Sequence, residues 1–131
     1  MSLKTIWVID DDPIFQIIVN KIIKKSELFL NVSSFSNGKE AINALKNSLE
    51  KKEILPNIIL LDINMPIMDG WEFMEEMMLL KAQINEPINI YIVSSSIAVE
   101  DKNKAKNYPE IIAYLSKPIN NNDLILIAAN H

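Results

Sequence analysis

The amino-acid sequence predicts an α/β protein: a doubly wound, five-stranded parallel sheet with helices on both faces. Apolar runs of strand length alternate with amphipathic stretches five times, the pattern of parallel strands joined by right-handed crossovers. The runs at 5–9, 57–61 and 88–93 are almost continuously apolar, as expected of strands covered on both faces. A chain of 131 residues is long enough for one self-sufficient core. No repeat, low-complexity tract or linker divides it, so a single domain over 1–131 is expected, with its core at about 5–129 and no output domain.

The first strand, 5–9, is ended by Asp10, Asp11 and Asp12. Pro13 then stands where a first helical turn tolerates it, with Asp12 as N-cap. Ile14, Ile17, Ile18 and Ile22 recur at helical spacing and predict a helix to about Lys25. Residues 29–35 read as the second strand, and Asn37-Gly38 marks the turn out of it. Ile42, Leu45 and Leu49 form the stripe of a second helix, closed by Lys51, Lys52 and Glu53 and stopped by Pro56. The third strand, 57–61, is ended by Asp62 and followed by a loop over 63–70. A helix from Trp71 to about Gln83 is expected to bury Phe73, Met74, Met77 and Met78. The fourth strand, 88–93, runs into three serines, and a polar helix follows over 99–107. The fifth strand, 111–115, leads to Ser116-Lys117-Pro118, and a short helix over 123–129 ends the pattern.

Composition removes whole classes of chemistry. Without cysteine there is no disulfide, thiolate metal site or thiol nucleophile. The single histidine is His131, which argues against a histidine metal cluster or a Ser-His-Asp triad. Net charge is -4 and every base is lysine, so a basic nucleic-acid footprint is absent. Neither a signal pattern nor an apolar run of membrane length is present, and a cytoplasmic location is expected. The Asn31 sequon is then a chance match.

Open parallel sheets bind ligands beyond the carboxyl ends of their strands, at the topological switch point. The residues that follow each strand are therefore the informative ones. Asp10, Asp11 and Asp12 follow the first, Asp62 the third, Ser94 the fourth and Lys117 the fifth; the second is followed by Ser36 and Asn37. In the flavodoxin-like order 2-1-3-4-5 the first and third strands are neighbours, which brings several carboxylates into one small volume. Crowded like charges need a proton or a cation. Oxygen ligands alone suit a hard cation such as Mg2+, which keeps room for a phosphoryl group. An aspartate carboxylate such as Asp62 can act as a covalent nucleophile toward phosphorus, with Lys117 and Ser94 placed to neutralise or bond phosphoryl oxygens. Taken singly, each residue has a plainer role: Asp12 as a helix cap, Asp62 as a turn residue, the serines as a loop, Lys117 as a solvated base. Their occurrence in chain order on one sheet edge favours a site.

Four segments carry a resemblance: VIDDDP after the first strand, LLDINMPIMDG around Asp62, VSSS after the fourth strand and AYLSKP at the fifth. Together they resemble the receiver domain of the two-component response-regulator family, over roughly Thr5 to Ala129. The family's chemotaxis receiver has the same strand order. The resemblance implies that Asp62 is the phosphoacceptor. Asp10 and Asp11 would be the acidic pair, with Asp11 binding Mg2+ directly and Asp10 mainly through water, and with Asp62 and the backbone carbonyl of Asn64 completing the ligands. It also implies that Ser94 takes the switch hydroxyl's place, that Lys117 contacts the phosphoryl group, that Tyr114 is the switch aromatic and that Pro118 follows a cis peptide bond.

The chain departs from the family in places. The segment 46–56 looks several residues longer than usual, and Tyr108-Pro109-Glu110 replaces a small-residue turn. Ser94 stands where threonine is common. Asn64 and Ser96 occupy variable positions that tune phosphoryl lifetime. The implied function is a phosphorylation-dependent switch. It would receive a phosphoryl group from a histidine kinase or a histidine phosphotransfer protein and offer its fourth-helix, fifth-strand surface to a downstream protein. The chain would act as a monomer or a weak phosphorylation-dependent dimer. It is not a conventional metabolic enzyme, though it would catalyse its own Mg2+-dependent phosphorylation and dephosphorylation. A Mg2+-dependent phosphohydrolase resembling the haloacid-dehalogenase-like enzymes would usually carry a second aspartate where Asn64 stands. The alternative is a receiver-fold binding module working without phosphorylation, against which the complete set Asp10, Asp11, Asp62, Ser94 and Lys117 argues.

Overall fold

The computed structural model describes residues 3–130, so His131 lies outside the described residues. The strands β1 (Lys4–Ile9), β2 (Phe29–Phe35), β3 (Ile58–Leu61), β4 (Asn89–Ser94) and β5 (Ile111–Ser116) form one sheet in the order β2-β1-β3-β4-β5. All four pairings are parallel. Between them run α1 (Pro13–Ser26), α2 (Gly38–Lys51), α3 (Gly70–Leu79) and α4 (Val99–Ala105), with α5 (Asn121–Ala129) after β5. The expected architecture is thus the observed one.

Strand alternation divides the core into two layers. Trp7, Ile9, Ile59, Leu61, Ile90 and Ile92 face α2, α3 and α4, whose Ile42, Leu45, Phe73, Met74, Met77 and Ala105 close over them. Ile6, Val8, Ile58, Leu60, Tyr91 and Val93 face α1 and α5, against Phe15, Val19, Ile23, Leu124 and Ile127. Each fully buried aliphatic side chain contributes on the order of 1.5–3 kcal/mol of transfer free energy, so the sheet's central strands anchor the domain.

Helix starts follow local chemistry. The Asp12 carboxylate accepts from the N–H groups of Ile14 (2.9 Å) and Phe15 (3.3 Å), with Pro13 in the first turn. Asn37 caps α2 by accepting from Glu40 N–H at 2.9 Å. Asp69 and Glu72 cap α3 reciprocally, at 2.8 and 3.1 Å. Asn120 and Asp123 do the same for α5, which therefore starts earlier than its apolar residues suggest.

The helix expected to about Lys25 is present, but its isoleucine spacing does not mark its inward face, and the ends of two later helices need correction. The face of α1 that meets the sheet is Phe15, Val19 and Ile23, while Ile14, Ile17 and Ile18 are 67%, 56% and 48% exposed. This helix is apolar on two overlapping stripes, and periodicity alone does not choose between them. The third helix stops at Leu79, where the chain tightens into a 3-10 turn over Lys81–Gln83. Met78 is half-buried and Leu79 is 77% exposed, while Leu80 and Ile84 pack against the core through the tighter turn rather than through a continued α-helix. The polar α4 ends at Ala105, its one buried residue, short of Asn107. The long segment 46–56 lies in the end of α2 and the loop before β3, at the sheet edge opposite the acidic residues. Lys52 ends α2 in the left-handed region (φ 56).

Candidate functional site

At the carboxyl edge of the sheet, the ends of β1 and β3 place Asp10 and Asp62 side by side, both buried, with Asp11 exposed beside them. One carboxylate oxygen from each of the three lies within 4.8 Å of the others. Lys117, delivered from the end of β5, puts its Nζ 2.6 Å from Asp10 Oδ2 and 4.0 Å from Asp62 Oδ2. The same ammonium stands 4.5 Å from the centre of the Phe15 ring, a cation–π position that fixes the lysine arm over α1. The Lys117 N–H donates to the Ser94 carbonyl at 3.1 Å, tying the end of β5 to that of β4. The Lys117–Pro118 peptide is cis, as the resemblance implied.

Electrostatics at this edge oppose charge on Asp62. Burial is the main cause, the neighbouring Asp10 and then Asp11 carboxylates add to it, and its pKa is pushed up to about 6. The Lys117 ammonium and the Asn64 backbone N–H pull the other way and do not prevail. One ammonium therefore underneutralises three carboxylates. That is a donor set suited to a hard divalent cation: oxygen atoms only, convergent, with negative charge in excess. Asp10, Asp11 and Asp62 are the residues that could hold it.

The loop from Asp62 to Gly70 folds back tightly. Gly70 donates to the Ile63 carbonyl at 2.8 Å, and a Cβ there would lie 2.6 Å from the Asp62 carbonyl oxygen. Only glycine permits that approach. The loop also contains Ile67, in the left-handed region (φ 73) although β-branched and 78% exposed. Such backbone strain is typical of functional loops.

Ser94 is buried at the end of β4, and its Oγ donates to the Ser96 carbonyl (2.8 Å) while accepting from the Ser96 N–H (3.2 Å). Its hydroxyl thus serves its own loop rather than the carboxylates. Tyr114 is half-buried on the α4 side of the sheet, its hydroxyl donating to the Lys102 carbonyl at 3.2 Å. The structure therefore gathers Asp10, Asp11, Asp62 and Lys117 into one cluster, with Ser94 beside it and Tyr114 on the neighbouring face.

Two features escaped the sequence reading. Gln16, one turn into α1, sends its side-chain amide back to three main-chain carbonyls at this edge. The available signal was a pair of amides, Gln16 and Asn20, spaced one turn apart on a helix that is otherwise largely apolar up to its closing lysines. The second is Trp71, directly after Gly70, whose indole N–H donates to Asp101 of α4 at 3.1 Å. Trp71 also stacks on Tyr108, with ring centroids 6.1 Å apart, so the unusual Tyr108-Pro109-Glu110 turn is packed against α3. Glu110 in that turn pairs with Lys81 at 2.8 Å.

No helix among the described residues is long and apolar enough to cross a membrane. The family of the response regulator receiver domain matches residues 6–129. Among curated proteins, the chain is 30% identical over 109 residues to the probable C4-dicarboxylate response regulator DctR of Halalkalibacterium halodurans, covering 83% of this chain and 40% of that protein. It is 31% identical over 94 residues to a protein-glutamate methylesterase/protein-glutamine glutaminase of Agrobacterium fabrum, covering 72% of this chain. The match spans about a quarter (24%) of that enzyme's length. Among solved structures, a two-component response regulator from Cytophaga hutchinsonii superposes over the whole of both chains with a TM-score of 0.80 and 31% identity. The chemotaxis protein CheY4 of Vibrio cholerae shares the fold at 20% identity, covering 98% of each chain, with a TM-score of 0.78. With five parallel strands in the order 2-1-3-4-5 and an acidic cluster on their carboxyl edge, the chain belongs to the response regulator receiver domain family.

Proposed function

We propose that the protein is a phosphorylation-dependent signalling switch in which Asp62 accepts a phosphoryl group. The observation that carries this reading is the Asp62 carboxylate itself, buried among two further carboxylates with the Lys117 ammonium 4.0 Å away. Burial and like charge make it a basic, poorly solvated carboxylate that is still ionised at neutral pH. An Asp62 carboxylate oxygen attacks phosphorus. The bond from phosphorus to the donor's imidazole nitrogen breaks, and the electron pair leaves with that nitrogen, which then takes a proton from solvent. Lys117 and the Ser94 hydroxyl stand on the β4–β5 side of Asp62 and serve the phosphoryl oxygens. Mg2+, held by Asp10, Asp11, Asp62 and the Asn64 carbonyl, supplies the remaining charge neutralisation.

The donor is a histidine kinase or a histidine phosphotransfer protein. The exposed Ile14, Ile17 and Ile18 follow Asp11 within two turns of α1 and offer that donor an apolar footing beside the cluster. Output follows from the hydroxyl of Ser94 exchanging Ser96 for a phosphoryl oxygen. That exchange biases the face carrying α4, β5 and Tyr114, which a downstream protein reads. The test is intact mass after incubation with Mg2+ and acetyl phosphate, where acetate replaces imidazole as leaving group. One added phosphoryl group is expected, absent from Asp62→Asn. Labelling that persists in Asp62→Asn would overturn the assignment, and magnesium binding without labelling by any donor would favour a binding module.

A further inference from the structure

We propose that Gln16 is a positioning residue for the acidic pair, holding the Asp10–Asp11 peptide in the orientation that a bound divalent cation requires. The inference rests on the metal-assisted reading above and extends it to a residue outside the carboxylate set. Gln16 is half-buried on α1 and does not reach Asp62 or Lys117. Its Nε2 lies 3.2 Å from the Val8 carbonyl, 3.1 Å from that of Asp10 and 3.0 Å from that of Phe35. Two hydrogens are thus shared among three carbonyls that end two adjacent strands, β1 and β2.

The orientation of that amide is itself set. Asn20, one turn further on, donates to the Gln16 main-chain carbonyl and to Ser34 Oγ of β2, each at 2.7 Å, and at 3.3 Å to Gln16 Oε1. The nitrogen of Gln16 must then face the carbonyls, because its oxygen is already engaged. Around this amide the turn is secured from every side. Asp10 N–H donates to the Phe35 carbonyl at 3.0 Å, so that oxygen accepts from both Asp10 and Gln16. Asp12 N–H donates to Asp10 Oδ1 at 2.9 Å, leaving Oδ2 for Lys117.

Among the described residues, the exposed Asp11 has no comparable support of its own. Its place relative to Asp10 depends on the peptide between them, and the carbonyl of that peptide is the one Gln16 holds. A side chain without donors at position 16 takes the Gln16 partner from the Asp10 carbonyl and frees the peptide to rotate, whereas the Val8 and Phe35 carbonyls stay paired between β1 and β2. Outer partners of metal-binding groups commonly change metal affinity by about 10–100-fold. Stability and metal affinity then respond differently: lost hydrogen bonds lower the melting temperature, but only lost positioning weakens the cation.

The experiment is calorimetric titration of the full chain with Mg2+ alone, comparing the parent with Gln16→Met, which keeps length and removes every donor. The expected result is roughly tenfold or more weaker Mg2+ binding. Acetyl phosphate labelling should need correspondingly more Mg2+ yet reach the parent rate at saturation. Mg2+ affinity within about twofold of the parent in a folded Gln16→Met, whatever its melting temperature, would overturn the proposal. Should that variant fail to fold, Asn20→Ala carries the test. It releases the Gln16 amide oxygen, the Gln16 main-chain carbonyl and Ser34 Oγ while leaving all three strand-end carbonyls their Gln16 donor, and should weaken Mg2+ in the same direction by less, whereas an unchanged affinity counts against the proposal. Because metal binding is read without a phosphodonor, a parent that binds Mg2+ but accepts no phosphoryl group overturns the functional reading alone. A parent that binds no Mg2+ overturns this one.

Discussion

Replacing Asp62 with Asn should make the metal-free protein more stable at neutral pH, and the size of the gain can be worked from the site. The folded state raises the Asp62 pKa from 3.8 to about 6, so between those values the folded chain holds a proton that the unfolded chain has lost. Stability therefore falls as pH rises through that window, and the whole penalty is present above about pH 6. At 1.36 kcal/mol per pH unit it amounts to on the order of 3 kcal/mol. The attraction of Lys117 is already contained in that net value. Asn has the same shape and no charge, so the variant should gain up to about 3 kcal/mol near pH 7.5 and only about 1 kcal/mol near pH 4.5. For a domain of this size that is an increase of roughly 10 °C in melting temperature at the higher pH. The assay is thermal unfolding followed by circular dichroism at both pH values, in chelator and then in Mg2+. Saturating Mg2+ at about 100 times its Kd stabilises the parent by about 2.7 kcal/mol and should close most of the gap. A gap equal at the two pH values, or a variant less stable than the parent near pH 7.5, would refute the reasoning.

Two further substitutions probe the loop between Asp62 and Gly70. Ile67→Asn should stabilise the protein by about 1 kcal/mol, since an L-residue in the left-handed region costs about 1–2 kcal/mol and asparagine tolerates it better. The side chain is exposed and little burial is lost, so the urea midpoint should rise with an unchanged slope; a fall would mean that Ile67 supports the loop by packing. Gly70→Ala should cost about 2 kcal/mol or more and slow phosphoryl labelling, because its Cβ would sit 2.6 Å from the Asp62 carbonyl oxygen. Parent-like stability and labelling in that variant would show that the loop can move aside freely.

Much of this molecule is legible from the residues that end its strands. A parallel sheet forces Asp10, Asp62, Ser94 and Lys117 onto one edge, so strand assignment alone brings them near one another. Strand positions were readable because the runs at 5–9, 57–61 and 88–93 are both apolar and short. What remained hidden depends on choices that composition leaves balanced. In α1 two apolar stripes compete, and the sheet accepts Phe15, Val19 and Ile23 while leaving Ile14, Ile17 and Ile18 outside. The end of α3 depends on how far the sheet can cover its methionines, a tertiary matter. Gln16 and Asn20 read as ordinary helix-surface amides, because their partners are main-chain carbonyls and a serine on another element. The Ser94 hydroxyl was placed correctly in the chain, but its engagement with Ser96 is a rotamer that no spacing encodes.

The Trp71–Asp101 hydrogen bond bears on cooperativity. The helix α4 spans seven residues, too few to persist by its own backbone bonds, and its N-terminal Ala98 supplies no side-chain cap. Asp101 provides the substitute, accepting from the Ala98 N–H at 3.4 Å through one carboxylate oxygen and from the Trp71 indole through the other. Trp71 in turn follows the glycine that presses on Asp62. Besides Ala105 in the core and the Tyr114 hydroxyl on the Lys102 carbonyl, this helix therefore draws on the loop that carries the acidic residue, through the Asp101 carboxylate. Opening of α4 is then expected as a local excursion separate from global unfolding, and hydrogen exchange should find its amide protons exchanging before those of α3. The indole at position 71 consequently reports on that excursion from inside the fold, as a fluorophore whose environment changes when the carboxylate lets go.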